Sequence, residues 1–216
     1  MGVIFLSETS RTEALALYPR LRRAKSVVAP HGPYDCRQST PQPVPNSLLF
    51  LGAVRPYKGV RTLVPLARMG IPVTIAGACA DSTLRRDLEQ AALEVGGVLT
   101  LRLSHQSEAE VEQLLHSHSL VVLPYARVHN SGSLLLALSH GRPAAAVEHH
   151  TLREVADAVP SGVRLYPAED FVGHIMHLLN EGVPSAEAIR SELDRYCDWK
   201  GISAIHMSLY REVLRE

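Results

Sequence analysis

Arg55 and Lys58 place two cations three residues apart in the run Gly52-Ala53-Val54-Arg55-Pro56-Tyr57-Lys58-Gly59, directly after the clearest strand-like segment. Two positive charges beside glycines, which let a ligand approach the backbone, suit a diphosphate. A solvated surface loop is the plain alternative. A second run, Ser131-Gly132-Ser133, opens an apolar helix beginning at Leu134. Small residues at a helix start leave backbone N–H groups unpaired at the positive end of the helix dipole, and two hydroxyls add donors. Ordinary N-capping by serine would explain the same residues. Together, cations from one strand end and a helix start from another would converge on one anion, which makes Arg55 and Lys58 the candidate catalytic residues for a leaving diphosphate.

Other reactive side chains point elsewhere. Eleven histidines invite a metal reading at His116-x-His118, His149-His150 and His174-x-x-His177. No carboxylate or cysteine stands at ligand spacing beside them, so no metal site is expected. His31 follows a strand and either faces a cleft or packs a linker. Cys36, Cys79 and Cys197 form no CxxC pair, which argues against a disulfide scaffold or zinc knuckle and suits a reducing, cytoplasmic setting. Lys plus Arg equals Asp plus Glu at 22 each, so nothing suggests nucleic acid as a partner. Arg20, Arg22, Arg23 and Lys25 read as a solvated helix end, with contact to a membrane surface as the alternative.

The elements that would position these residues alternate along the chain. Apolar runs at 48–54, 72–76, 98–103, 120–123, 144–147 and 163–166 read as strands. Their continuous Val, Ile and Leu content suits strands covered on both faces. Helical patterns fall at 60–68, 83–95, 108–116, 133–140, 152–158 and 171–180. Strand–helix repetition of this kind predicts an α/β, doubly wound, Rossmann-like parallel sheet. Asp81 and Ser107 with Glu110 are expected helix caps, and Gly70 a stop. Before this lies a βαβ pattern, with strands at 3–6 and 26–29 around a helix at 11–23. A polar stretch, 35–47, carrying Pro41, Pro43 and Pro45, reads as a linker. The expected division is therefore 1–34, linker 35–47, a main domain at 48–182, and C-terminal helices at 183–216. One βαβ unit cannot cover its own strands, so it either packs on the main domain or ends a domain lying outside this chain.

In this order, LLFLGAVRPYKGVRTLVPLA, VTIAGA, LLHSHSLVVLPYARVHNSGSLLLALSHGRPAAAV and WKGISAIHMSLYREVL resemble the C-terminal half of group 1 (family 4) glycosyltransferases of GT-B fold. VIFLSETSR and VVAPHGPY resemble the last βαβ unit of that family's N-terminal domain. The resemblance implies a nucleotide-diphosphate-sugar donor held without a metal cofactor. Arg55 and Lys58 would meet the diphosphate, Leu103 and Ser104 the base, and Gly52, Asn130, Ser131, Gly132, Ser133 and Leu134 the phosphate and sugar. It further implies transfer of a hexose to a glycan or lipid-linked acceptor, at the cytoplasmic face of a membrane. Two departures stand out. The family's paired glutamates fall on Val128 and Leu136, while Ser131-Gly132-Ser133 resembles the Asn-Ser-Gly of exopolysaccharide β-mannosyltransferases, making GDP-mannose a candidate donor. The acceptor domain is represented by its last unit alone, so a missing N-terminal half, a separate partner chain or self-association would complete the cleft. A non-catalytic, degenerate sugar-nucleotide-binding module is the alternative.

Overall fold

In the computed structural model, residues 1–36, 43–128, 130–182 and 184–215 are described. The Val, Ile and Leu runs form a six-stranded sheet from β3 (Val44–Leu51), β4 (Val73–Ala76), β5 (Leu99–Arg102), β6 (His118–Leu123), β7 (Ala144–Val147) and β8 (Val163–Tyr166). All its pairings are parallel, in the order β5-β4-β3-β6-β7-β8. Leu48, Leu49, Phe50, Ile75, Leu120 and Val122 have no exposed surface. That burial is the reason these strands lack the apolar–polar alternation of a half-solvated sheet.

Helices cover both faces: α2 (Val64–Arg68), α3 (Ser82–Val95), α4 (Glu108–Ser117), α5 (Gly132–Ser139), α6 (His150–Ala158), α7 (Phe171–Glu181), α8 (Ala186–Tyr196) and α9 (Trp199–Leu214). The expected caps form. Asp81 accepts the Leu84 N–H, and Ser107 and Glu110 make a reciprocal capping box. Arg142, in the Gly-Arg-Pro segment, is a buried structural cation. It donates to the Leu115 and His116 carbonyls at the end of α4, at 2.7 and 3.2 Å, groups that a helix C-terminus leaves unpaired.

Most element ends move by one to four residues from the expected ranges, the strand placed at 48–54 being β3 at Val44–Leu51, and three of the differences have a local reason. The helix placed at 11–23 is α1 (Glu8–Leu17) followed by a separate 3-10 turn, Pro19–Arg23, because Pro19 cannot donate to the helix ladder and holds Tyr18 out of it. The helix placed at 60–68 is a 3-10 turn, Val60–Leu63, before α2, with Pro65 in the first turn. The linker placed at 35–47 ends early, since β3 begins at Val44. Asn46 has φ 55° and the pairing register shifts between Val44 and Leu48, an irregularity that accommodates Pro45 in a strand. The stretch 37–42, with Pro41, lies outside the described residues.

The N-terminal βαβ unit does not join the large sheet. β1 (Gly2–Phe5) and β2 (Lys25–Val28) pair only with each other, in parallel. The unit docks on the rest of the chain: α9 crosses β1 and β2, and α1 lies against α6. The Glu154 carboxylate of α6 accepts the Thr9 N–H at 2.7 Å, the Thr9 hydroxyl at 2.6 Å and the Glu8 N–H at 3.1 Å, neutralising the open start of α1. Burial by itself would raise the Glu154 pKa, but these bonds outweigh it and hold the carboxyl below its ordinary value. Trp199 donates its indole N–H to the Pro33 carbonyl at 2.9 Å, and its ring lies where a side chain at Gly32 would stand. Glu154→Ala is expected to lower stability by about 1–2 kcal/mol, or roughly 2–8 °C in Tm for a chain this size. An unchanged melting curve would show that the cap does not hold the unit.

His140, which ends α5, is buried against His116, with ring centroids 5.4 Å apart. Among the described residues its Nδ1 has no hydrogen-bond partner. Burial, reinforced by the neighbouring His116, pushes its pKa down from 6.5 to about 4. The unfolded chain therefore binds this proton more readily than the folded one, so stability is full above pH 6.5 and falls as the pH drops towards 4. Denaturant titrations across that window should show the decline, and His140→Leu should flatten it; an equal slope in the variant would assign the acid sensitivity elsewhere.

Candidate functional site

The strand order puts β3 beside β6, with β4 and β5 on one side and β7 and β8 on the other. The chain reverses direction of travel between these two strands, and their loops diverge to leave a crevice at the carboxyl ends. The loop after β3 is Gly52 to Gly59; the loop after β6 begins at Pro124 and enters α5. The two runs singled out in the sequence thus face each other.

Contacts across the crevice latch the loops together. The Ala126 N–H donates to the Tyr57 carbonyl at 3.0 Å. Lys58 Nζ stands 3.8 Å from the centroid of the Tyr125 ring. Gly59 has φ 68°, and any Cβ there would fall on the Pro124 carbonyl oxygen, so this position requires glycine on two counts. A Cβ on Gly52 would come to 3.0 Å from the Ser133 hydroxyl, so the β3 end meets the start of α5 directly. Lys58, Tyr57, Arg127, Val128 and Asn130 line a recess of about 360 Å³.

At the start of α5, Ser131 is the N-cap, and its buried hydroxyl accepts the Leu134 N–H at 3.1 Å. The Ser131 carbonyl accepts from Leu134 and Leu135. The N–H groups of Gly132 and Ser133 have no acceptor among the described residues, leaving two donors at the positive helix end. Asn130 is exposed beside them.

The remaining candidates fare unevenly. Arg55 is exposed, one residue before the Pro56–Lys58 turn. Leu134 belongs to the core, 1 % exposed, and with its N–H already bonded it offers a ligand nothing: the expectation of a donor contact there is corrected. Leu103 is likewise core, and its carbonyl accepts Arg85 Nη2 at 2.8 Å. Ser104 is exposed next to it, its carbonyl taken by Gln106. Val128 and Leu136 face the core.

Sequence reasoning passed over Tyr125, Arg127 and Tyr34. The Tyr34 hydroxyl stands 3.1 Å from where a Cβ on Gly132 would lie, and its backbone N–H donates to Ser139 Oγ at 2.9 Å. An aromatic residue following the proline directly after a strand was the available signal for Tyr125. His31 faces a second cleft, between the N-terminal unit and α5 and α6, shared with Ser7, Asn130, Ser131, Glu154 and Tyr196. Three of the other histidines have structural partners: His118 Nε2 meets Thr74 Oγ1 at 2.8 Å, His174 stacks on Tyr166, and His177 pairs with Glu181. Among the described residues, no three His, Cys, Asp or Glu are grouped to hold a metal ion.

A six-stranded parallel sheet with this switch point, flanked by helices, is the fold of half of a GT-B glycosyltransferase, as the solved structures it resembles show. The chain is 32 % identical over 176 residues to the GDP-mannose:glycolipid 4-beta-D-mannosyltransferase of Xanthomonas campestris pv. campestris, covering 79 % of this chain. It spans about half, 50 %, of the length of the curated relatives it matches. No family model matches. Among solved structures it is similar to Anabaena Alr3699/HepE in complex with UDP-glucose, at TM-score 0.76 and 15 % identity over 99 % of this chain and 64 % of that one. The sucrose-phosphate synthase of Thermosynechococcus elongatus gives 0.73 and 17 %, over 99 % and 58 %. The GtfA/B complex gives 0.75 and 15 %, over 100 % and 46 %. The chain therefore has the GT-B glycosyltransferase fold, and the curated relatives and solved structures it matches are glycosyltransferases.

Gly59→Ala is expected to cost about 2 kcal/mol or more, because it combines a left-handed backbone with a backbone collision. Chemical denaturation measures this; a loss below a few tenths of a kcal/mol would mean the loops are not latched here.

Proposed function

We propose that this chain is the donor-binding half of a glycosyltransferase that moves a hexose from a nucleotide-diphosphate sugar to a glycan or glycolipid acceptor. One observation carries the reading: Lys58 is held over the Tyr125 ring in the loop after β3, and the end of β3 at Gly52 approaches the Ser133 hydroxyl at the start of α5 across the sheet's switch point. When the bond between the sugar carbon and the phosphate oxygen breaks, its electron pair stays on the diphosphate. Fixed cations and a helix N-terminus stabilise that charge as it develops. In this reading they do the work that a divalent metal does elsewhere, and no metal is required.

The β-mannosyltransferase relative supports GDP-mannose as the donor and a glycolipid as the acceptor. A glycolipid acceptor would be met at the cytoplasmic membrane surface; among the described residues no helix is long and apolar enough to cross a membrane. The half-length match supports an acceptor site completed by a further N-terminal half, a partner chain or self-association. A second reading, a sugar-nucleotide-binding module without turnover, is favoured by one feature. Val128 and Leu136, where family members carry glutamates, cannot hydrogen-bond a sugar.

A thermal-shift titration with GDP, UDP, ADP and GDP-mannose tests the donor site. A nucleotide at 100 times its Kd adds about 2.7 kcal/mol, or roughly 5–10 °C here. GDP and GDP-mannose are expected to give this shift and Arg55→Ala/Lys58→Ala to abolish it; a shift that survives in the double variant would refute the assignment. Donor hydrolysis or transfer by the chain would exclude the module reading.

A further inference from the structure

We infer that Tyr125 is a positioning residue for Lys58: its buried ring is the platform that holds the lysine ammonium at the crevice without neutralising it. The inference rests on the donor-site reading and deepens it. Tyr125 is 1 % exposed. Its ring is fixed edge-on against Phe50 of β3, with centroids 6.3 Å apart at 82°, and Phe50 has no exposed surface. The backbone beneath it is bonded across the crevice through Ala126 and Tyr57. The platform therefore cannot swing aside, and Lys58 Nζ stands 3.8 Å above it, well within reach of the negative face of an aromatic ring.

The chemistry of the support matters. A lysine side chain free in solvent loses much rotamer freedom when it grips a phosphate. A carboxylate partner would hold it still but would compete with the phosphate for its charge. An aromatic face restrains the ammonium while leaving its full charge and outward donors for an anion. Among the described residues the buried Tyr125 hydroxyl has no hydrogen-bond partner, and it is the ring face that meets the Lys58 ammonium.

The test uses GDP as the probe and the whole chain. Titration calorimetry compares wild type, Tyr125→Phe, Tyr125→Leu, Lys58→Ala and the Lys58→Ala/Tyr125→Leu pair. Tyr125→Phe is expected to bind within about twofold of wild type, and Tyr125→Leu about three- to thirty-fold more weakly. On the Lys58→Ala background Tyr125→Leu should add nothing, since the two act through one contact. Equal weakening in both backgrounds, or a phenylalanine variant as weak as leucine, overturns the inference. An NMR measurement needs no ligand: Lys58 side-chain protons should be shifted upfield by the ring in wild type and Tyr125→Phe. No such shift in wild type overturns the contact, even if Tyr125→Leu fails to fold. If the shift is present but GDP does not bind, the donor-site reading falls, and the role of Tyr125 in it falls as well.

Discussion

The structure depends on one constraint: β3 and β6 must lie side by side in a parallel sheet although the chain fills one half of the sheet before starting the other. Every parallel crossover must be right-handed, so the helices after β3 and those after β6 go to different parts of the molecule. Their entry loops cannot close over each other, and the gap at the carboxyl ends is unavoidable. What this sequence adds is the lining of that gap. Gly52 and Gly59 permit backbone approach to Ser133 and Pro124; Lys58 supplies charge; Ser131 caps α5 through the Leu134 N–H, leaving the Gly132 and Ser133 N–H groups available.

The same economy governs the charged residues that do not serve the crevice. Arg142 could pass for a ligand-binding cation in sequence, yet it is buried and spends its donors on the carbonyls that end α4. Arg85 does the same for the Cys79 and Leu103 carbonyls. A guanidinium satisfied by backbone oxygens holds loops in register: the partly exposed Arg85 ties the segments after β4 and β5 at the carboxyl edge of the sheet, and the buried Arg142 ties the end of α4 to the segment before β7 at the amino edge. The cations offered to a ligand differ in environment: Arg55 is exposed, and Lys58 is half-buried over an aromatic ring.

The N-terminal unit is bound to the main body by polar and aromatic anchors as well as by packing. Glu154 closes the start of α1, and α9 reaches back so that Trp199 grips the segment at Gly32 and Pro33. Tyr34, two residues beyond Gly32, thereby comes to rest over the start of α5. The segment from Gly32 to Tyr34 therefore lies against α5, and the C-terminal helix, distant in sequence, holds it there.

Much of this was legible in the residues. Unbroken apolar runs marked the bounds of β7 and the cores of β3, β4 and β6, because strands buried on both faces have few polar positions to obscure the pattern; the edge strand β8, with Arg164 exposed, kept its expected bounds without such a run. Asp81, Ser107 with Glu110, and Ser131 announced helix starts, because capping is a local bond that needs only three or four residues. The pairing of Arg55 and Lys58 with a glycine-flanked strand end was also local. Prolines 19, 45 and 65 shifted boundaries because their effects depend on which neighbouring backbone groups need partners. Tertiary structure alone decided which strand lies beside which. That adjacency, set by crossover handedness and by the packing of helices on both faces, brings Tyr125 beneath Lys58 and Ser133 against Gly52, and consigns Leu134 and Leu103 to the core. No periodicity within either segment encodes those meetings, because the two partners belong to different crossover units and touch only once the sheet has formed.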